Sequence, residues 1–435
     1  MTPLDLIHGL HWPDLPATVR ARAPLHLLDL IGVGAAGTRQ RVSGIARDFA
    51  VAQFGGARPL MFDGRGSSLP GVALAAGLTI DGLDAHDGFN PAKGHIGCPL
   101  FAAMLGVASE LDVSGEEFMT TLCIGYEFGA RAAMAQHGTV ADYHTSGSWG
   151  AVTAAAACTR LMRLDTGTTR HALGIAEYHG PRSQMMRCID HPTMVKDGSG
   201  WGAMAGVSAA LLAQAGFTGA PAITVEEAPG YWADLGQRWY LLEQYVKPYP
   251  VCRWAQAPIE GVLALRRAHG LTADMVDRIE VATFHESVRL ATRRPTESDA
   301  AQYSTSFPCA VALVRGDVTP ADIADDALDD PEVLRLSDSM VFAEDAHANA
   351  VFPGQRLAQV TLQLKDGRRL TSDWMEPRWD ATAPATEAEM RAKFHALADG
   401  PLGRDRADRI DAAIDALPAT PFAALADLLV QPISR

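Results

Sequence analysis

Small residues at helical spacing dominate the first 245 residues and constrain the fold more than any other feature. Alanine and glycine are abundant and β-branched runs are rare, and residues 199–215 carry Met204, Val207 and Leu211 on one helical face. Small side chains let helix backbones approach closely, so this part of the chain predicts a tightly packed helical domain. A helix bundle without any pocket would show the same pattern.

The helical pattern stops near residue 246 and returns near residue 386. Lys-Pro-Tyr-Pro at 247–250 interrupts any helix. Thr386 with Glu389 forms a capping-box pattern that begins a new one, and the segment behind it is helical in type. We therefore predict a helical main domain from residues 1–245 and 386–435, with a lid domain at 246–385 inserted between its two parts.

The predicted insert mixes helix and strand. A helix is expected at 256–269, and residues 278–284 alternate between apolar and polar. Residues 356–365 alternate more clearly and are followed by Asp366-Gly367, which is a strong hairpin signal. The insert should therefore hold an antiparallel sheet, and the predicted fold class is mainly α with an α+β insert.

Charge and composition exclude several function classes. Lys and Arg total 37 against 51 Asp and Glu, a formal net charge of -14, which disfavours nucleic-acid binding. No apolar run reaches the ~18 residues of a membrane helix, and the N-terminus lacks the pattern of a signal peptide. Six scattered cysteines form no C-x-x-C pair. We expect a cytoplasmic protein that binds neither nucleic acid nor membrane.

The loop at 81–99 is the first candidate site. Asp84 and Asp87 lie on either side of a histidine, and Lys93 and His95 follow among several glycines. A histidine can move protons near neutral pH, and a carboxylate beside it can orient the ring or tune its pKa. Ordinary Asx turns have the same composition. The acids and histidines could also bind a divalent metal, but Lys93 argues against this and we predict no metal.

Three further segments carry candidate residues. His144 lies in a polar loop just before a helix, where backbone N–H groups favour anions. Lys196 precedes a glycine-rich helix start, and Lys247 and Arg253 lie at the domain change. Each has a simpler interpretation, as a cap region, a surface lysine or a rigid hinge.

Familiar cofactor and nucleophile motifs are missing from the sequence. It contains no G-x-x-x-x-G-K-[ST], no strand–GxGxxG–helix unit, no H-E-x-x-H and no G-x-S-x-G. Nucleotide, zinc-protease and serine-hydrolase functions are therefore unsupported.

Taken in order, the motifs resemble those of the MmgE/PrpD family, whose members include 2-methylcitrate dehydratase, cis-aconitate decarboxylase and iminodisuccinate epimerase. No single motif is decisive, but five in order along almost the whole chain are specific. They are Asp84-x-x-Asp87 with His95, His144-Thr-Ser-Gly147, Lys196-Asp-Gly198, Gly216-Phe-Thr-Gly219 and Lys247-Pro-Tyr-Pro-Val-Cys252.

The resemblance implies a helical domain built from both chain ends, a lid, a homodimer and no required cofactor. It also implies proton transfer at a carbon next to a carboxylate of a small anionic substrate. We expect a hydro-lyase similar to 2-methylcitrate dehydratase that acts on a hydroxy-polycarboxylate. Alternatives are an epimerase or racemase of a dicarboxylate such as iminodisuccinate, a cis-aconitate-type decarboxylase, and a non-catalytic carboxylate-binding protein.

Five residues fall on the family's active-site positions. His95 and His144 are the expected general base and acid, Asp84 would orient or tune one of them, and Lys196 and Lys247 would bind substrate carboxylates. We add Asp87, Lys93 and Arg253 as substrate-binding candidates. The chain departs from the family pattern at four places: Gly88 replaces a hydroxyl residue, Lys93 lies in a loop one residue longer, Cys252 replaces a histidine of some members, and Phe307 replaces a tyrosine of the decarboxylase.

Overall fold

The computed structural model describes residues 1–290 and 292–433, so residues 434 and 435 of the predicted helical domain lie outside it. Of the helices within these ranges, none has both the length and the apolar character that crossing a bilayer requires. The α-helices of the described chain are α1 (Pro3–Gly9), α2 (Ala17–Gly37), α3 (Arg41–Phe54), α4 (Leu69–Asp81), α5 (Gly97–Glu110), α6 (Gly115–Thr139), α7 (Gly147–Leu161), α8 (Thr166–His179), α9 (Met185–Asp190), α10 (Ser199–Gln214), α11 (Ile223–Glu226), α12 (Arg253–His269), α13 (His285–Arg289), α14 (Ser298–Gln302), α15 (Ser306–Arg315), α16 (Pro331–Ser339), α17 (Ala346–Val351), α18 (Glu387–Leu402), α19 (Arg404–Ala416) and α20 (Ala423–Leu429).

The predicted helical character of the first 245 residues is confirmed, and small residues set how closely the helices pack. A Cβ atom built on Gly206 of α10 would lie 2.4 Å from the Cβ of Ala154 in α7. One built on Gly77 of α4 would lie 2.5 Å from the Cα of Gly200 in α10. Because these backbones touch, the loops that precede α7 and α10 lie side by side, and the Gly147 N–H donates to the Asp197 carbonyl at 2.9 Å.

Helices from the two ends of the chain share one core. Phe394 of α18 packs against Gly32 of α2, where an added Cβ would lie 3.0 Å from the Phe394 ring. Beside them, the Lys393 ammonium lies 2.5 Å from a carboxylate oxygen of Asp29 and donates to the Ala85 carbonyl at 2.7 Å. Helix α18 from the C-terminal part of the chain therefore reaches the loop that carries the first candidate site.

The insert is built around a four-stranded sheet with the order β4-β3-β5-β6, and a separate two-stranded ribbon near residue 60 lies outside it. The predicted hairpin is confirmed as an antiparallel pair of β5 and β6. The expectation of a fully antiparallel sheet is wrong, since β3 and β4 pair in parallel. Four helices lie between β3 and β4, which supplies the long crossover that a parallel pair needs. The strands are β1 (Arg58–Pro59), β2 (Gly66–Ser67), β3 (Val276–Thr283), β4 (Val341–Glu344), β5 (Ala358–Leu364) and β6 (Arg369–Thr371).

The alternation along β5 sets which face of the sheet is buried. Ala358, Val360, Leu362 and Leu364 are all buried, while the residues between them are partly exposed. Helix α12 lies on this face, and a Cβ on Gly261 would lie 2.6 Å from Val360. The N-terminal end of α12 is thereby fixed beside the helical body, where Arg253 begins the helix.

Candidate active site

A small pocket lies where the helical body meets the insert. Two chain segments, the loop at 81–99 and the domain change at 247–253, bring Asp84, Lys93, His95, Lys247 and Arg253 to its wall, and all of these were candidates from the sequence. Most of its ionisable side chains are buried or nearly so. Its other lining residues include Tyr143, Asp197, Tyr245, Cys252, Trp254, Tyr303 and Arg356.

His95 is held by both its ring nitrogens and its backbone. Nδ1 contacts the carbonyl oxygen of Asp87, and because a carbonyl can only accept, Nδ1 carries a proton. Nε2 therefore faces the pocket, 3.1 Å from Asp197 Oδ2 and 3.7 Å from Asp84 Oδ1. The backbone N–H of His95 donates to Ser146 Oγ at 2.9 Å, and Trp149 donates to the His95 carbonyl at 2.9 Å.

Charges around His95 favour its protonated form. Burial and the nearby Lys247 ammonium lower the pKa of His95, but the hydrogen bond to Asp197 and the charges of Asp197 and Asp84 outweigh them. The pKa of His95 is therefore raised above its ordinary value of 6.5. A raised pKa makes the neutral ring a stronger base and stabilises the imidazolium that proton uptake creates.

Asp84 and Lys247 form a buried ion pair at the floor of the pocket. The Lys247 ammonium contacts Asp84 Oδ1 and lies 3.3 Å from the Asp84 carbonyl. Burial raises the pKa of Asp84, but Lys247, His95 and His86 together hold it at about 2. Burial lowers the pKa of Lys247, but Asp84 raises it above the ordinary lysine value overall. Both groups are therefore charged at neutral pH.

One set of side chains in the described residues has the spacing of a metal site. Ligand atoms of Asp84, His86 and His95 lie within 4.8 Å of one another, and no ion is present. The ring centroids of His86 and His95 lie 4.1 Å apart with the ring planes tilted by 60°, and His86 Nε2 lies 3.3 Å from Asp81. The ammonium of Lys247 lies against the Asp84 oxygen that a cation would need. Charge repulsion from Lys247 therefore opposes a metal at this position.

Asp87 supports the site from behind rather than lining it. Its carboxylate accepts a hydrogen bond from the Tyr126 hydroxyl and lies 3.6 Å from His26 Nδ1, all in the helical core. Burial above all, with help from the charge of Asp29, raises the pKa of Asp87 to about 7. The contribution of Asp87 to the pocket is its backbone carbonyl, which fixes the His95 ring.

Lys196 lies next to the pocket but does not line it. Its ammonium lies 2.9 Å from Asp299 and donates to Gln302 Oε1 at 2.8 Å. The same Gln302 oxygen accepts the backbone N–H of Asp84 at 2.8 Å. Lys196 and Gln302 thus hold the backbone of the Asp84 loop against the insert.

His144 is buried outside the pocket lining. Its Nδ1 lies 2.7 Å from the Asp142 carbonyl, and its backbone pairs with Gln184 in an isolated bridge. The neighbouring Tyr143 does line the pocket, and its hydroxyl donates to the Lys93 carbonyl. The segment before α7 therefore contributes a tyrosine, not a histidine, to the pocket wall.

Sequence reasoning missed two ionisable residues of the pocket. Asp197 lies between Lys196 and Gly198, inside a motif from which only the lysine was predicted to bind substrate. Arg356, only 3% exposed, comes from the residues just before β5. It carries no local motif, and only the packing of the insert on the helical body brings it to the pocket.

Two domain models of one family match the chain. The MmgE/PrpD N-terminal domain matches residues 4–238, and the MmgE/PrpD C-terminal domain matches residues 249–418. The cis-aconitate decarboxylase-like protein oryM of Aspergillus oryzae is 24% identical, over 92% of this chain and 90% of its own length. The cis-aconitate decarboxylase of Homo sapiens is 24% identical, over 93% of this chain and 88% of its own. The cis-aconitate decarboxylase of Mus musculus is 22% identical, over 95% of this chain and 89% of its own length. The two domain matches cover most of the sequence, and the chain belongs to the MmgE/PrpD family.

Proposed function

We propose that this protein is a cofactor-independent lyase that removes a proton next to a carboxylate of a small hydroxy-polycarboxylate and releases water. One observation carries the proposal. His95 presents Nε2 to a pocket lined by ionisable side chains, between two carboxylates and beside the Lys247 ammonium. The curated relatives bear the names of enzymes, which supports a catalytic role.

His95 is the proposed proton-transfer group. Neutral Nε2 takes the proton from the carbon next to the substrate carboxylate, and Asp197 and Asp84 stabilise the imidazolium that forms. The imidazolium then gives this proton to the departing hydroxyl, the C–O bond breaks, and water and an alkene remain. Nδ1 keeps its hydrogen bond to Asp87 throughout, so the ring stays in place.

Lys247 is the proposed binding group for the carboxylate beside the reacting carbon. Its ammonium has three donors, and only some of them are used by Asp84. As the proton leaves, negative charge moves onto that carboxylate, and a fixed ammonium in a dry site stabilises it without reorganisation. Removing one such donor in other enzymes costs about 10²–10³-fold in kcat.

Decarboxylation is the second candidate, because the relatives are named cis-aconitate decarboxylases. It would use the same His95 proton, delivered to carbon after CO₂ has left. Phe307, which replaces a tyrosine of the decarboxylase, is fully buried in α15 and does not line the pocket. Because Phe307 lies outside the pocket lining, this departure does not separate dehydration from decarboxylation, and the products formed in D₂O decide between them.

Turnover in D₂O tests the proposal and separates the alternatives. We would incubate the protein with a panel of hydroxy-polycarboxylates and cis-aconitate, and follow the products by NMR and mass spectrometry. An alkene with loss of water supports the lyase. Deuterium in a product of unchanged skeleton indicates an epimerase, and CO₂ release indicates a decarboxylase. The variant His95→Ala should be inactive and the exposed-histidine control His347→Ala active. Binding without turnover of any of these would refute an enzyme.

Assembly and location are part of the proposal. An apolar stripe on α10 is open to solvent, with Trp201 47% and Leu212 42% exposed, which supports a homodimer formed through this face. All six cysteines are free and buried, which supports a reducing, cytoplasmic location.

A further inference from the structure

Two cations of the pocket have no carboxylate partner. Lys247 is paired with Asp84, and Arg253 lies 2.6 Å from Asp380. By contrast, no carboxylate oxygen of the described residues lies within 4 Å of the side-chain nitrogens of Lys93 or Arg356, the two other cations in the wall. Arg356 is buried and Lys93 is half-buried, and neither forms an ion pair within the described part of the chain although Asp380 and Glu286 act on them from farther away. Because a buried charge without a paired counter-charge is costly, an anion between the two cations would be stabilised by both.

Arg356 is fixed so that part of its guanidinium stays available. Its Nη1 donates to Asn90 Oδ1 and, at 3.1 Å, to the Pro353 carbonyl. Its buried Nε has no hydrogen-bond partner within the described chain, although the side chain is only 3% exposed. Asn90 is in turn held by Asp380, to which its amide donates at 3.0 Å. A buried donor without a partner needs an explanation, and a ligand in the pocket that Arg356 lines would supply one.

Lys93 reaches the same cavity from the opposite, helical side. Its backbone has φ = 52°, a left-handed conformation that costs energy for a residue with a side chain, and the Tyr143 hydroxyl holds its carbonyl. The ammonium lies 4.1 Å from the centre of the Tyr143 ring. Burial lowers the pKa of Lys93, the charge of Glu286 partly offsets this, and the charge of Arg356 lowers the pKa further, so the two cations sense each other. Lys93 belongs to the loop that is one residue longer than the family pattern.

We propose that Lys93 and Arg356 form a second carboxylate subsite, separate from the proton-transfer centre at His95 and Lys247. Resting on the proposed function, this inference makes the substrate one with a further carboxylate distant from the reacting carbon. One cation comes from the helical body and the other from the insert. The distal carboxylate therefore bridges the two units and holds the reacting carbon at His95.

Calorimetric titration with inert ligands tests the subsite without requiring turnover. The probes are tricarballylate and the two dicarboxylates that remain when one of its carboxylates is removed, glutarate and methylsuccinate. The wild-type protein should bind tricarballylate at least ~10-fold more tightly than the weaker dicarboxylate. Lys93→Gln and Arg356→Gln should each weaken tricarballylate binding about 10- to 100-fold. The same variants should change much less the affinity for the dicarboxylate that lacks the distal carboxylate. Arg356→Lys should retain part of the affinity, and the exposed control Arg267→Gln should bind as wild type.

The outcomes separate this proposal from the proposed function. Wild-type affinities in Lys93→Gln and Arg356→Gln, or an equal loss for all three ligands in variants that melt at the wild-type temperature, would overturn the subsite. Turnover in D₂O could still establish the lyase in that case. A subsite preference without turnover would instead leave the anion site standing and refute the enzyme. If the wild-type protein binds none of the ligands, the subsite is overturned, and turnover in D₂O alone decides the lyase.

Discussion

Replacing Lys247 by Met should damage stability and catalysis through one buried ion pair. The ammonium is 1% exposed and the Asp84 carboxylate 4%. Met has nearly the same volume but no charge, so the change removes the electrostatic contact with little effect on packing. Asp84 would then be a buried carboxylate without its main counter-charge.

The size of the effect follows from the pKa of Asp84. It is about 2 in the fold against an ordinary value of 3.8, and this difference corresponds to about 2 kcal/mol of folding stability. Because the folded pKa is the lower one, the contribution is fully present above pH 3.8 and is lost as the pH falls towards 2. Removing one partner of a buried pair also leaves the other charge desolvated, and such changes cost about 3–5 kcal/mol in total.

Lys247→Met should also reverse the way in which Asp84 makes folding stability depend on pH. Without Lys247, burial should raise the pKa of Asp84 above 3.8, so the folded state takes up a proton before the unfolded one. The stability deficit of Lys247→Met should therefore be largest near pH 7 and shrink towards pH 5. Urea denaturation followed by tryptophan fluorescence at the two pH values measures this, and kcat should fall about 10²–10³-fold.

A double variant supplies the control for this experiment. Asp84→Asn together with Lys247→Met removes both charges, so it should be more stable at pH 7 than Lys247→Met alone. The reasoning would be refuted if Lys247→Met were as stable as the wild type, or if its deficit were the same at pH 5 and pH 7.

Three further predictions concern proton transfer and assembly. The kcat/KM of the wild type should rise with pH through a pKa above 6.5. In Asp197→Asn this rise should occur at lower pH, because the lost carboxylate charge had favoured the imidazolium of His95. An unchanged pH profile would contradict a role of the Asp197 contact in setting the pKa of His95. His95→Ala should lower turnover at least ~100-fold, whereas His144→Ala, outside the pocket lining, should lower it less; equal losses would restore His144 as a catalytic partner. Trp201→Glu should shift the protein from dimer to monomer in analytical ultracentrifugation, and a wild-type sedimentation profile would place the interface elsewhere.

The sequence predicted the fold where periodicity is local and complete. Alternation along 356–365 and the Asp366-Gly367 turn specified the β5–β6 hairpin, and the glycines of 199–215 specified a closely packed helix. The parallel edge of the sheet could not be predicted in this way. Val341–Glu344 is short and largely exposed, so no strong alternation marks it, and its pairing depends on a crossover of four helices.

Several predicted site residues whose motifs mix charge and glycine lie together in the structure, and others do not because the direction of the side chain decides. Asp84, His95 and Lys247 meet around one pocket as expected. Asp87 shares the loop of Asp84, yet its carboxylate points into the core, because Tyr126 offers it a hydroxyl there. Lys196 is drawn away by Asp299, which lies 103 residues later and could not be matched to it from the sequence.

The departure at Gly88 has a structural counterpart on the other side of the pocket. A Cβ atom on Gly88 would lie 2.3 Å from the hydroxyl oxygen of Tyr245, so the tyrosine fills the space of the missing side chain. The backbones of the two residues also pair through hydrogen bonds of 3.1 and 2.8 Å, which fixes this arrangement. Where the family pattern has a hydroxyl residue in the acidic loop, this chain combines a glycine with a lining tyrosine. The pocket thus keeps a hydroxyl in the same region, but presents it from the segment that also carries Lys247, and this changes the direction from which a substrate oxygen can be bound.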